Sequence, residues 1–383
     1  MLEPVEFAAQ SSVEGRAWIA ALPALLDRLC RSWRLQVEDG AAGRGYHGVV
    51  VPVRRGTERC VLKLAWPAER TVTEAGALAA WRGRGAVLLL EADLEAGALL
   101  LERLDPTRTL ERMDLGAAAQ VARRLLRRLA IPAPAGVRPL RAVAADIAGS
   151  LQGRQERLGR PVPEGWLATA GGLAQELGAS AGDRLVHADL HYGNVLAGNR
   201  EPWLAIDPKP AAGDPEHAVP ELLWTRVDEL QDAQAIRRLL AVLAGSGDLD
   251  GEKARGWAIV RCVDYWLWGL ENGLTEDPKR CRRILRRSPD GVGTALLQDH
   301  ETWQPGQAGI AAKAARTAGP PRTRTLSIDR PSLTLSAHYP GTRVARCWAG
   351  TTRRTRTARG RAGRSRGRRV GGPRGRRSPR VGW

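Results

Sequence analysis

"LVHADLHYGNVL", residues 185 to 196, sets two histidines, an aspartate and an asparagine between apolar residues of strand character. The chain has only six histidines in 383 residues, so two in one short stretch need a chemical reason. His187-x-Asp189-x4-Asn194 is followed by Asp207 in "LAIDP", directly after another apolar stretch. Phosphoryl transfer asks for this set. One carboxylate orients the acceptor hydroxyl and takes its proton, while an amide oxygen and a second carboxylate hold magnesium on the nucleotide phosphates. A rigid loop between short strands would keep these groups close together. The bland alternative is a turn whose Asp and Asn satisfy local backbone groups and whose histidines pack in the core.

The residues upstream favour the chemical reading. Helical spacing over 13–33 (Trp18, Leu22, Leu25, Leu26, Leu29) gives way to a period of two in "WRLQVED" (33–39), "VVVPVR" (49–54) and "CVLKLAW" (60–66). The intervening "GAAGRGYHG" and "RRGTER" have hairpin length, which predicts an antiparallel sheet. After a helical pattern at 68–83, "AVLLLEAD" (86–93) and "GALLLERL" (97–104) add two strands, making five strands with one inserted helix. Lys63 alternates with apolar neighbours in a buried-looking strand, and a buried ammonium needs an anion, which a nucleotide phosphate supplies. Glu74 on the following helix is placed to hold that lysine, unless both are solvated surface residues. The glycine-rich hairpin is a weak candidate to cover phosphates. "LLLERL" (99–104) either offers backbone to an adenine edge or is plain linker.

Downstream of Leu110 helical patterns dominate, at 114–130, 138–158, 164–178, 219–244 and 252–274, interrupted only by the β-like segment 184–207. After Asp207 the chain runs "PKPAAGDPEHAVPELLW" straight into a helix, without the long activation segment and Ala-Pro-Glu of a protein kinase, so a small-molecule acceptor is favoured. Residues 214–232 hold six acids, including Asp214 and Glu216, against the one base Arg226, a bias that would attract a cationic substrate. Asp264, Trp268 and Glu271 share a helical face opposite the stripe Ile259, Val263, Leu267, Leu270, Leu274. An aromatic plate between carboxylates suits an amino sugar, and a merely solvated face has equal claim.

Composition bounds the rest. The formal charge is +18, but residues 311–383 carry 20 Lys and Arg against Asp329 alone, a net of +19 that leaves −1 for residues 1–310. The basic character belongs to a tail of Arg, Gly, Ala, Pro and Thr that cannot bury enough apolar surface to offset its ordering entropy, so disorder is expected there. Such a tail can contact nucleic acid without sequence preference, and an out-of-frame translation of GC-rich DNA accounts for it equally well. Cys30, Cys60, Cys262, Cys281 and Cys347 are widely spaced with no CxxC, as expected of reduced thiols in a cytoplasmic protein without a metal cluster. The acidic "MLEPVEFAAQ" and the short apolar run broken by Pro23 predict neither signal peptide nor membrane span. The layout expected is α+β: residues 1–104 as a small antiparallel β lobe, 105–288 as a larger helical lobe, and 289–383 as a disordered basic tail.

"VLKLAWP", "ALLLERLDP", "VHADLHYGNVL", "EPWLAIDPKP", "ELLW" and "CVDYWLWGLENGLTEDP" occur in this order between residues 33 and 288. In them the chain resembles the aminoglycoside phosphotransferase family, specifically its streptomycin 6-kinase-like branch of aminoglycoside/hydroxyurea resistance kinases. The resemblance implies a two-lobed protein-kinase-like fold and ATP-dependent phosphorylation of a hydroxyl with Mg2+. It implies Lys63 on phosphates with Glu74 as its partner, the backbone of Glu102 to Leu104 at adenine, Asp189 as base, and Asn194 and Asp207 as metal ligands. Two departures stand out. The family has Gly where this chain has Ala188, a small penalty at most unless that position needs a positive φ. The family also commonly reads "GDPAFD" where this chain has "GDPEHA" (213–218), which bears on the acceptor more than on catalysis.

Overall fold

The computed structural model describes residues 8–10, 12–38, 43–44, 47–67, 69–245 and 249–286. The disorder expected from Lys313 onward, the 289–383 tail and Cys347 lie outside these residues. Helix α1 (Val13–Trp33) begins at Ser12, whose hydroxyl accepts from the Gly15 amide at 2.9 Å. Strands β1 (Leu35–Val37), β2 (Gly43–Arg44), β3 (Gly48–Arg55) and β4 (Glu58–Ala65) follow, then helix α2 (Glu69–Trp81), then β5 (Leu89–Asp93) and β6 (Ala98–Glu102). The sheet is antiparallel in the order β1-β3-β4-β6-β5, with β2 pairing β3 inside the glycine-rich hairpin.

Alternation along β4 and β6 decides what this sheet does. Cys60, Leu62 and Leu64, with Ala98 and Leu100, pack beneath α1 in one apolar cluster around Leu29. Leu99 and Leu101 face the other way and join a second, larger cluster with Leu78 and Trp81 of α2. Lys63 therefore falls on the α2 side of the sheet.

The larger cluster continues through helices α3 (Leu115–Leu129), α4 (Leu140–Arg157), α5 (Glu164–Ala179), α6 (Val219–Trp224), α7 (Ala233–Ala244), α8 (Gly251–Glu271) and α9 (Glu276–Leu285). The stripe expected on α8 is the core face: Ile259, Val263 and Leu267 are buried. Between the helices lie short strands β7 (Asp105–Thr109), β8 (Arg184–Val186), β9 (Val195–Ala197), β10 (Leu204–Ala205) and β11 (Ala211–Gly213). β8 pairs β11 with Val186 opposite Ala211, and β9 pairs β10 with Val195 opposite Ala205. These two ladders clamp both ends of the segments 187–194 and 206–210, which must then run beside each other. The molecule thus has the expected protein-kinase-like α+β fold, a small antiparallel sheet lobe joined to a larger helical lobe.

Three local expectations need correction. The helix expected over 219–244 is two helices, because Asp232 caps the second by accepting from the Ala235 amide at 2.7 Å and the chain turns at Val227–Glu229. Strand β7 had no apolar alternation to betray it; its polar residues pair with β9, far away in sequence. Helix α9 continues past the expected helical pattern with Pro278 in its first turn, where a missing amide costs nothing. Among the described residues no helix is long and apolar enough to cross a membrane.

Candidate active site

A cleft of about 1930 Å³ runs between sheet and helices, about twice the upper size of an ordinary single-ligand pocket and so roomy enough for a nucleotide plus an acceptor. Lys63, Glu74, Asp189, Asn194 and Asp207 all line it, together with Leu101 to Asp105.

Lys63 is placed by β4 and Glu74 by α2, and the Lys63 Nζ lies 2.7 Å from both Glu74 carboxylate oxygens and 2.6 Å from Asp207 Oδ1. Burial disfavours the ammonium, but the two carboxylates override it and hold its pKa above the ordinary lysine value. Burial also opposes ionisation of Asp207, and Lys63 wins there too, holding that carboxyl well below the usual carboxylate range. Glu74, only 4% exposed, is pushed up by burial against the pull of Lys63.

The opening stretch is held by hydrogen bonds that account for its polar residues. Asn194 donates from Nδ2 to the Asp189 carbonyl at 2.9 Å, leaving its amide oxygen as that side chain's remaining ligand atom. The Ile206 amide donates to the Asn194 carbonyl at 2.9 Å. His187 donates from Nε2 to the Ile206 carbonyl, and His191 Nδ1 accepts from the Gly193 amide at 3.2 Å. Both histidines thus do positional work in the loop, and burial lowers both pKa values. Ala188 and Asp207 are left-handed, with φ of 53° and 56°. The small penalty expected for Ala188 therefore becomes a real one, since the position does need a positive φ.

The donor set fits a hard divalent cation. Asn194 and Asp207 offer an amide oxygen and a strongly acidic carboxylate, and among the described residues no cluster of three or more His, Cys, Asp or Glu could hold a metal without help from a ligand. That is the arrangement magnesium uses when phosphates complete its shell.

On the nucleotide side, Leu104 is buried and lines the cleft. Glu102 and Arg103 have already used their amides on the Leu88 and Arg59 carbonyls, at 3.0 and 3.3 Å, so an adenine edge would be left the Leu104 amide. The Glu102 carboxylate is likewise engaged, by Arg200 at 2.6 Å and the Leu88 amide at 2.8 Å.

The acceptor side departs most from expectation. Asp214 and Glu216 are buried away from the cleft lining: Asp214 Oδ1 accepts from Lys253 Nζ and the Gly182 amide, each at 3.0 Å, and Glu216 accepts from the Asp250 amide at 2.7 Å. Glu271 also lies off the lining, 3.0 Å from Arg154 Nε. Asp264 and Trp268 do line the cleft, but Asp264 is paired with Arg154 Nη1 at 2.6 Å. The expected acidic surface is thus neutralised by bases that a local charge count does not see.

Lys209, Trp224, Tyr265 and Arg261 also line the cleft and escaped the sequence reading, while the expected Trp268 joins two of them in a stack. Lys209 lies 3.0 Å from Asp189 Oδ2. Trp224, Tyr265 and Trp268 stack in a near-parallel series, with centroids 4.6 and 5.3 Å apart. Arg261 sits over the Trp224 ring and hydrogen-bonds Glu221. Glu221 is buried, and burial pushes its carboxyl up against the pull of Arg261. His217 and Glu221, at i, i+4 spacing, both line the cleft, and Glu221 entered the sequence reading only as one of the acids of 214–232.

A two-lobed fold with a buried Lys–Glu pair facing an Asp–Asn loop and a second Asp defines a protein-kinase-like phosphotransferase. The chain belongs to the family described as aminoglycoside/hydroxyurea antibiotic resistance kinase, whose model matches residues 32–273. It is 43% identical over 270 residues to the streptomycin 6-kinase of Streptomyces griseus, covering 68% of this chain and 87% of that one. It is 44% identical over 275 residues to the hydroxyurea phosphotransferase of Kitasatospora aureofaciens, covering 70% and 78%. A crystal structure of an aminoglycoside phosphotransferase APH(4)-Ia mutant with ADP and hygromycin B is similar at TM-score 0.48 and 16% identity, over 67% of this chain and 95% of that one. The protein is a phosphotransferase with an alcohol group as acceptor.

Proposed function

We propose that this enzyme transfers the γ-phosphoryl group of ATP to a hydroxyl of an aminoglycoside-like cation, with streptomycin the first acceptor to test, in the cytoplasm where ATP is available. The observation that carries the reading is the convergence of Lys63, Asp189, Asn194 and Asp207 on one cleft, and the 43% identity to a streptomycin 6-kinase supports the acceptor. In this reading the nucleotide lies between the segment 1–104 and the helices that follow. Lys63, fixed by Glu74, meets phosphate oxygens, and the Leu104 backbone meets adenine. Asn194 and Asp207 hold Mg2+, which neutralises charge on the phosphates. Asp189 accepts the acceptor hydroxyl's proton as its oxygen bonds to phosphorus, and ADP departs with the electrons of the broken P–O bond.

A second acceptor class has its own support. With Asp264 and Glu271 tied to Arg154 and Asp214 tied to Lys253, little free negative charge faces a cation, which suits a small uncharged acceptor such as hydroxyurea. ATP consumption with streptomycin, other aminoglycosides and hydroxyurea separates the two, and a protein that only binds nucleotide would consume none. Asp189→Asn should abolish turnover while ATP still binds; normal turnover by that variant would remove Asp189 as the base. The Arg-rich extension is proposed to touch nucleic acid through phosphate contacts alone, so deleting residues 289–383 should end any retention on nucleic acid.

A further inference from the structure

We propose that Lys209 is a catalytic residue: its ammonium pairs with Asp189 before reaction and turns to the transferring phosphoryl group as Asp189 takes up the proton. The inference rests on the reading of Asp189 as base and concerns a residue which that reading leaves without a role.

Lys209 Nζ is 3.0 Å from Asp189 Oδ2. Its backbone amide donates to the His187 carbonyl at 2.9 Å, so the residue is bonded directly into the loop that carries Asp189. Pro208 and Pro210 flank it and fix φ on both sides, which limits how far its backbone can swing. It follows Asp207 by two residues, and its charge also acts on Asp207, helping to hold that carboxyl acidic. The ammonium thus lies against the group that would activate the acceptor and close enough to the group that would hold the metal to act on its charge.

Two further observations set Lys209 apart from a structural lysine. Its side chain is 52% exposed, and ion pairs that open to water contribute little to stability. Lys63 is the opposite case, 14% exposed and saturated by Glu74 and Asp207, so its charge is already committed. Among the described residues Lys209 has one carboxylate partner, Asp189, and the reaction removes that partner's charge. As the acceptor's O–H proton passes to Asp189, the acceptor oxygen bonds to phosphorus and the bond from phosphorus to the ADP oxygen breaks. The ion pair then dissolves at the moment when negative charge is spread over the transferring oxygens. An interaction gained only at that point lowers the barrier without tightening ground-state binding.

The test uses Lys209→Met and Lys209→Arg in the full chain. Binding of ADP with magnesium and fluoroaluminate, a mimic of the transferring phosphoryl, is compared with binding of a non-hydrolysable ATP analogue. Lys209→Met should weaken the mimic at least about tenfold and the analogue by less than about threefold. Its kcat should fall about 100-fold, with KM for both substrates nearly constant and part of the rate restored in Lys209→Arg. Equal weakening of mimic and analogue would make Lys209 a ground-state phosphate anchor and overturn the proposal. So would a kcat within about threefold of the parent, or a loss of melting temperature that accounts for the loss of rate. If the parent phosphorylates no acceptor, the acceptor assignment fails, while the mimic comparison still decides Lys209.

Discussion

His187 donates from Nε2 to the Ile206 carbonyl at 3.0 Å, which ties the residue two before Asp189 to the residue just before Asp207. The ring is 2% exposed and stacks on Trp81 with centroids 6.0 Å apart. Burial pushes its pKa down to about 4, with Asp189 only partly opposing. The folded state therefore refuses a proton that the unfolded state binds below pH 6.5. Stability present above pH 6.5 should drain away as pH falls towards about 4, by up to roughly 3 kcal/mol for this group. Urea midpoints measured from pH 7 to pH 4 should fall accordingly. His187→Gln should flatten the slope by up to about 1.4 kcal/mol per pH unit, leaving the shares due to His47, His191 and His217, which burial also lowers. An unchanged slope would show that His187 is not the group responsible.

Ala188 occupies a backbone conformation, φ 53°, that a Cβ makes costly by about 1–2 kcal/mol. Glycine removes that cost but gives the unfolded chain more freedom, so Ala188→Gly should stabilise by a net amount of roughly 0.5–1 kcal/mol. Thermal unfolding should shift upward by about 1–4 °C. A downward shift would mean that the alanine methyl, partly buried against the core, matters more than the backbone.

The parts of this fold that were legible in the sequence are those built by local periodicity. Alternation in "CVLKLAW" predicted both the strand and the aspect of Lys63, and the stripe on α8 picked out Ile259, Val263 and Leu267 as buried, although burial there also takes in residues off the stripe such as Trp257, Cys262 and Trp266. The His-x-Asp-x4-Asn spacing was legible because a rigid loop must draw its functional groups from neighbouring positions. What stayed hidden depends on partners distant in sequence. Asp214 meets Lys253, Asp264 meets Arg154 and Glu221 meets Arg261, so acids that read as a cation-binding surface are internal ion pairs. Strand β7 was missed for the same reason, because its partner β9 lies about half the helical lobe away in the chain and the pairing leaves no local pattern.

Lys63 and Glu74 have side chains only 14% and 6% exposed, so removing one strands the other in the interior. Lys63→Met should cost about 3 kcal/mol or more of stability and abolish activity. Adding Glu74→Leu replaces the pair by apolar packing and should recover most of the stability while activity stays lost. Denaturant unfolding and turnover of the three variants check this; recovery of activity in the double variant would deny Lys63 its role at the phosphates.

Arg154 decides how acidic the acceptor wall is. Its Nη1 lies 2.6 Å from Asp264 Oδ1 and its Nε 3.0 Å from Glu271 Oε2, and Arg157 reaches the other Glu271 oxygen at 3.4 Å. Arg154 is itself only 11% exposed, but the two carboxylates are 22% and 29% exposed and open to water, so Arg154→Met should cost about 1–3 kcal/mol. The same change unmasks Asp264 beside Trp268, on the wall where a guanidinium or ammonium would stack and pair. KM for streptomycin should then fall about three- to tenfold, more at low salt than at high, while KM for hydroxyurea should not change. If KM for streptomycin instead rises, Arg154 orders the wall for its acceptor, and the paired carboxylates are recognised as a unit.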